Sequence, residues 1–123
     1  MFNATRSDGQ TISFFGDGIQ QGNGEWDGTI QMKKADSYIY SKAALASCHV
    51  TMGIKIRGYG GNDYSGTPTF YAGESENPTT VKTSTFSEKD GVRVFEFDME
   101  GYFKLANLSN NAMYVTSINF ASI

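Results

Sequence analysis

One histidine and one cysteine carry the chemistry that this 123-residue sequence could do, and they are neighbours, Cys48 and His49. A histidine acting as a general base needs a group to orient it and a reacting group within hydrogen-bond reach. Ser47 and Thr51 flank His49, but successive side chains of a strand point to opposite faces, so no Ser-His-Asp arrangement can be read here. The expectation is a solvent-facing histidine. Cys48 falls on the opposite, apolar parity. A buried thiol without chemistry is its expected state, since cysteine is among the most buried residue types. With a single cysteine, no disulfide forms within the chain, and a His/Cys zinc cluster is ruled out.

The carboxylates fall into two groups, Asp17 with Glu25 and Asp27, and Glu74 with Glu76. Calcium requires about six to eight oxygens gathered by a folded loop. The spacing matches neither an EF-hand nor a glycine–aspartate repeat, so these are expected to be solvated loop acids. A glycosidase pair needs two carboxyl groups at a set separation across a cleft, and nothing in the sequence sets one. The runs Gly16-Asp17-Gly18 and Gly58-Tyr59-Gly60-Gly61 lack the following helix that a phosphate cradle requires. No metal site, no cofactor and no catalytic residue are expected.

Aromatic residues in loops are the stronger signal. Trp26, Tyr59 and Tyr64 lie within Gly-rich stretches, where an exposed ring can stack on a sugar or fill a pocket on a protein partner. Arg57 adjoins the second stretch, and Lys55 shares its parity; both could add charge steering. Trp26, Tyr59, Tyr64 and Arg57 are therefore the candidate binding residues. The competing reading of Trp26 is that it closes one end of the core.

Strands must position these groups. Cys48, Val50, Met52, Ile54 and Ile56 alternate with His49, Thr51, Gly53, Lys55 and Arg57, the pattern of a strand with one buried face. Thr11 to Phe15, Thr29 to Lys33, Ser37 to Ser41, Thr69 to Ala72, Val92 to Asp98, Tyr102 to Ala106 and Ala112 to Phe120 read as further strands. Thr79 to Phe86 reads as extended. Glu88-Lys89-Asp90-Gly91 predicts a hairpin, because Asp-Gly suits a primed turn. Only residues 42–47 suggest a helical turn, too short to stand unaided. About nine strands, roughly 8–13 residues apart, give the rhythm of an all-β sandwich. No crossover helix for a parallel sheet is visible. The expected fold is one domain over 1–123. It is a two-sheet antiparallel β-sandwich, jelly-roll-like or immunoglobulin-like.

Composition narrows the partners. There are 10 Lys and Arg against 13 Asp and Glu, a net charge of -3, whereas binding the nucleic-acid backbone calls for clustered cations. Aromatics make up 14% of the chain, enough to build a core. No apolar run approaches the ~18 residues of a membrane helix, and residues 1–8 have no basic-then-apolar leader. Neither a nucleic acid nor a membrane is expected as partner.

The later half adds a resemblance. It contains Thr67-Pro68-Thr69-Phe70-Tyr71-Ala72-Gly73, Ser75-Glu76-Asn77-Pro78-Thr79-Thr80 and Val94-Phe95-Glu96-Phe97-Asp98. It closes with Tyr102 to Ile118, in which an extended segment ends at Asn107, a polar turn follows, and a second segment ends in Thr116-Ser117-Ile118. Residues 67–120 resemble jelly-roll or β-sandwich accessory domains of bacterial surface proteins and bacteriophage virions. The resemblance implies a non-catalytic module, with no active-site residues. The function expected is a structural or binding module of a bacteriophage virion, capsid-decorating or tail-associated, docking on a capsid or other virion protein through loops and sheet edges. The alternative is a carbohydrate-binding module of a secreted or cell-surface bacterial protein. The expected location is correspondingly the virion, or the extracellular space or cell surface.

Overall fold

The computed structural model of the chain describes residues 3–6, 12–21, 29–33, 36–55 and 67–123. The first strands are β1 (Asn3–Arg6), β2 (Phe14–Asp17), β3 (Ile19–Gln21), β4 (Ile30–Met32) and β5 (Ser37–Ser41). Then come β6 (Leu45–Lys55), β7 (Pro68–Gly73), β8 (Val81–Lys82), β9 (Thr85–Lys89), β10 (Val92–Asn107) and β11 (Met113–Ser122). No helix occurs among the described residues. The chain is all-β, and every strand pairing is antiparallel except β1 with β11.

One strand organises the rest. The first part of β10 lies between β9 and β6, and β6 continues the sheet to β11, β4 and β3. Its last part, Tyr102 to Asn107, lies between β5 and β7, which extend to β2 and β8. The strands therefore form a single hydrogen-bonded, eleven-stranded sheet. The sequence suggests a break near Glu100-Gly101, but the strand bends there and continues. Gly101 has φ +100°, and a Cβ there would run into the carbonyl of Gly73 on β7. Only glycine takes that φ without strain and lets another backbone come so close. On the β6 side, Met99 faces Cys48 and Gly101 faces Leu45, so β6 carries one extra residue at the bend. Such a bulge sharpens local twist and bends a strand.

Side-chain parity follows from this frame. On β6, Cys48, Val50, Met52 and Ile54 are buried, as the alternation predicts. Ile56 lies outside the described residues. Cys48 is fully enclosed. On β11 a second bulge falls between Val115 and Ser117, which face Ile54 and Gly53. It moves the inward set from Met113 and Val115 to Ile118 and Phe120. Gly53 is buried beneath it, where a Cβ would stand 2.5 Å from Thr116 Oγ1. On β10, Phe95, Phe97, Met99, Phe103, Leu105 and Asn107 point inward.

Phe103 unites the core. Its ring meets Phe120 of β11 edge-on at 5.3 Å, Phe97 at 6.3 Å and Phe70 of β7 at 6.4 Å. Phe14 of β2 touches both Phe103 and Phe120, each at 6.3 Å. Strands from the two parts of the sheet thus share one set of rings, and the sheet curls around them almost into a barrel.

Several boundaries differ from expectation. β2 begins at Phe14, so Ile12 and Ser13, expected within it, precede the strand, and β10 joins two segments expected to be separate. No helical turn forms over 42–47. There, buried Ser41 donates through Oγ to the Ala43 carbonyl and accepts from the Phe103 amide, so the chain bends and enters β6 at Leu45. The β9–β10 hairpin turns as predicted, with Asp90 at φ 55° and Gly91 at φ 77°. Two successive left-handed residues are what a type I′ turn requires.

Candidate functional site

The four candidate binding residues, Trp26, Arg57, Tyr59 and Tyr64, lie outside the described residues, as do Glu25 and Asp27. Asp17, Glu74 and Glu76 are exposed. Asp17 accepts a 2.9 Å hydrogen bond from the amide of Gly18, a residue at φ 72°. Among the described residues, no group of three His, Cys, Asp or Glu side chains is arranged to hold a metal ion.

His49 stands on the outer face, as its parity predicts, and it has two partners that the sequence did not reveal. β6 and β10 run antiparallel with His49 opposite Asp98, and Glu96 stands one step along the same face. Nδ1 lies 2.7 Å from Asp98 Oδ1, and Nε2 lies 3.0 Å from Glu96 Oε1. Two carboxylate acceptors call for a donor at each ring nitrogen, which is the imidazolium form. Accordingly the histidine pKa is raised above its ordinary value, by the hydrogen bond to Glu96 first and that to Asp98 second, against a smaller opposing effect of burial. A ring with both nitrogens donating has no lone pair with which to take a proton from a substrate. Lys82, Thr83 and Thr85 border the shallow hollow beside this cluster. Farther along, Ser47 Oγ donates to Glu100 Oε2 at 2.5 Å.

The outer face around the second part of β10 carries a different set. Phe15 pairs with Tyr40, Tyr40 with Lys104, Lys104 with Tyr71, and Tyr71 with Val81. These five residues form one row across β2, β5, β10, β7 and β8. Opposed residues share a face, and strands lie about 4.8 Å apart, so the row spans roughly 19 Å. Phe15 is 51% and Val81 59% exposed, while Tyr40, Lys104 and Tyr71 are partly exposed. Phe15 and Tyr40 lie 5.6 Å apart, and Tyr40 stacks with Tyr38 at 5.9 Å. The Lys104 ammonium sits over two rings, 5.1 Å from the centre of Tyr38 and 5.4 Å from that of Tyr71. A hollow of about 240 Å³ opens beside them, bordered also by Asp36 and Leu108.

Sequence reasoning missed this row because it arises from register between strands distant in the chain. A signal was nevertheless present. Tyr38 and Tyr40 flank inward-facing Ile39, and Tyr71 lies between inward-facing Phe70 and Ala72. Tyrosine stands at three outward positions of half-buried strands, where small polar residues would serve solubility equally well.

Comparison with protein-family models, with curated proteins and with solved structures returns no match.

Proposed function

We propose that this chain is a non-catalytic binding module and that its working surface is the outer row from Phe15 to Val81. The row carries this reading: three aromatic rings, an ammonium and a valine are held in register on paired strands, with aliphatic and ring surface open to solvent. Contact of this kind concentrates binding energy in a few large side chains. A two-layer sandwich, jelly-roll-like or immunoglobulin-like, is the proposed finer description of the fold, with β10 as the strand that passes from one layer to the other.

In this reading the module is an accessory protein of a bacteriophage virion, capsid-decorating or tail-associated. Its support is the resemblance of residues 67–120 to such domains. A second reading, a carbohydrate-binding module of a secreted or cell-surface bacterial protein, is favoured by the row itself, since exposed rings on a sheet face suit stacking on sugars. The test is sedimentation of the purified protein with particles of the phage that encodes it, comparing wild type with Phe15→Ala and Tyr71→Ala. Attachment lost in both variants, with melting temperature held, is the result expected of the first reading. Attachment equal in all three would remove the row as a virion-docking surface.

A further inference from the structure

We propose that the row binds an acidic polysaccharide, a glycan chain bearing carboxylates that lies across the strands with sugar rings on Tyr40 and Tyr71 and a carboxylate on Lys104. The inference rests on the reading of this chain as a binding module that works through this face.

Direction comes first. The five residues follow one another across the sheet, so a long ligand meets them by lying perpendicular to the strands. The repeat of the row is the strand spacing of about 4.8 Å. That is close to the advance of one pyranose unit in an extended chain. Each sugar of such a chain would therefore meet one residue of the row. The C–H faces of a pyranose are apolar, which suits contact with the exposed parts of these rings; one face of Tyr40 is covered by Tyr38 and one of Tyr71 by the Lys104 ammonium.

Charge selects the class of glycan. Lys104 stands at the centre of the row, with a neutral tyrosine on each side. Its ammonium rests over Tyr38 and Tyr71, and no described carboxylate forms an ion pair with it. Any partner that strips water from this cation incurs a cost that a partner anion offsets. A carboxylate on the sugar facing Lys104 supplies that anion and leaves neutral ring faces for Tyr40 and Tyr71. The surrounding charges set a limit. Asp36 borders the hollow, Asp17 lies opposite Tyr38, and Glu76 acts electrostatically on Tyr40. These acids oppose a densely sulfated chain and leave Lys104 as the one cation of the row. The fitting ligand carries carboxylates alternating with neutral rings.

Native affinity electrophoresis tests this, with gels containing hyaluronan, whose acidic and neutral sugars alternate, neutral hydroxyethylcellulose or dextran sulfate. The wild-type protein should be retarded by hyaluronan and run freely in the other two. Lys104→Gln and Tyr71→Ala should each weaken retardation about tenfold, as loss of an anchor residue does. Lys104→Arg should retain it. Melting temperatures of the variants establish that each is folded. Free migration of the wild type in hyaluronan would overturn the inference, as would retardation unchanged by Lys104→Gln, or retardation by dextran sulfate equal to that by hyaluronan. Free migration combined with virion attachment that is lost in Tyr71→Ala would overturn the glycan alone and leave the binding module standing. Retardation by hydroxyethylcellulose as strong as by hyaluronan would remove the charge requirement and with it this inference.

Discussion

Replacing Asn107 by aspartate should destabilise the protein at neutral pH and do so less in acid, while replacing it by alanine should cost the same at both. Asn107 ends β10 and is fully enclosed. Its Nδ2 donates to the carbonyls of Met32 at 3.1 Å, Lys33 at 3.3 Å and Asn111 at 2.8 Å. Its Oδ1 accepts from the amide and hydroxyl of Ser109 at 3.1 and 2.6 Å. The side chain thus ties β10 to the end of β4 and to the turn before β11. Alanine removes all of these bonds, but some partners stay satisfied. The Lys33 carbonyl keeps the Ser37 hydroxyl, and the Ser109 hydroxyl, no longer shared with Oδ1, is left for the Asn111 carbonyl. At about 1 kcal/mol net for each lost bond, with a penalty for the groups left bare, the cost should be roughly 2–4 kcal/mol. Aspartate has nearly the same shape but turns an ionised oxygen toward three carbonyls. An uncompensated buried charge costs about 3–5 kcal/mol. The introduced carboxyl therefore has its pKa raised in the folded state. Its penalty is full above that folded value and declines as pH falls through it, because the protonated form donates a hydrogen bond again. Urea titrations of wild type and both variants at pH 7.5 and 5.0 measure this. An Asn107→Asp variant as stable as wild type at pH 7.5, or a deficit identical at both pH values, would refute the reasoning.

Three further outcomes follow from the same packing. Ile54→Ala should lose about 2–5 kcal/mol in a denaturant titration, as large-to-small changes in a closed core do, since Ile54 is only 2% exposed. Gly101→Ala should cost about 2–4 kcal/mol through its left-handed φ and its overlap with the Gly73 carbonyl, whereas Gly73→Ala, whose Cβ meets only Pro78 at 3.1 Å, should cost far less; equal losses would contradict the role given to the bend. For His49, the folded pKa is raised, so the stabilisation from its ion pairs is fully present below the ordinary histidine pKa and disappears as pH rises through the folded value. The wild type's advantage over His49→Gln should therefore be present at pH 5.5 and absent at pH 9. It should stay below about 1 kcal/mol, because the His49 side chain is 41% exposed and its pairs are screened by solvent.

What could be read in the sequence was local. The alternation from Cys48 to Ile54 marked the inner face of β6, and Asp90-Gly91 marked a hairpin because two adjacent residues set the turn. The bulge on β11 was illegible, since Thr116 is the residue left over when β11 aligns with β6 and its own propensity does not mark it. Glu100-Gly101 looked like the end of a strand, because glycine's need for a left-handed φ is the same at a turn and at a bend. His49 showed no partner because Asp98 and Glu96 come beside it only when β6 and β10 pair. The same applies to the outer row, whose five members come from five strands. The polar turn after Asn107 is plain in the sequence, but its anchor to the Met32 carbonyl, far back in the chain, is not.

β10 also bears on how the molecule comes together and comes apart. It bonds to β5, β6, β7 and β9, so it carries ladders of both parts of the sheet. Amide hydrogens around the bend, such as that of Phe103, should exchange with solvent only through global unfolding, and those of the outlying β3 and β8 through smaller openings. Assembly is correspondingly slow. The partners of β10 in β5 and β6 are synthesised tens of residues earlier, so loops must close before most of its ladder exists. Folding should fall in the millisecond-to-second range typical of β-proteins rich in non-local contacts, since among the described pairings only β3–β4, β7–β8 and β9–β10 join strands adjacent in sequence.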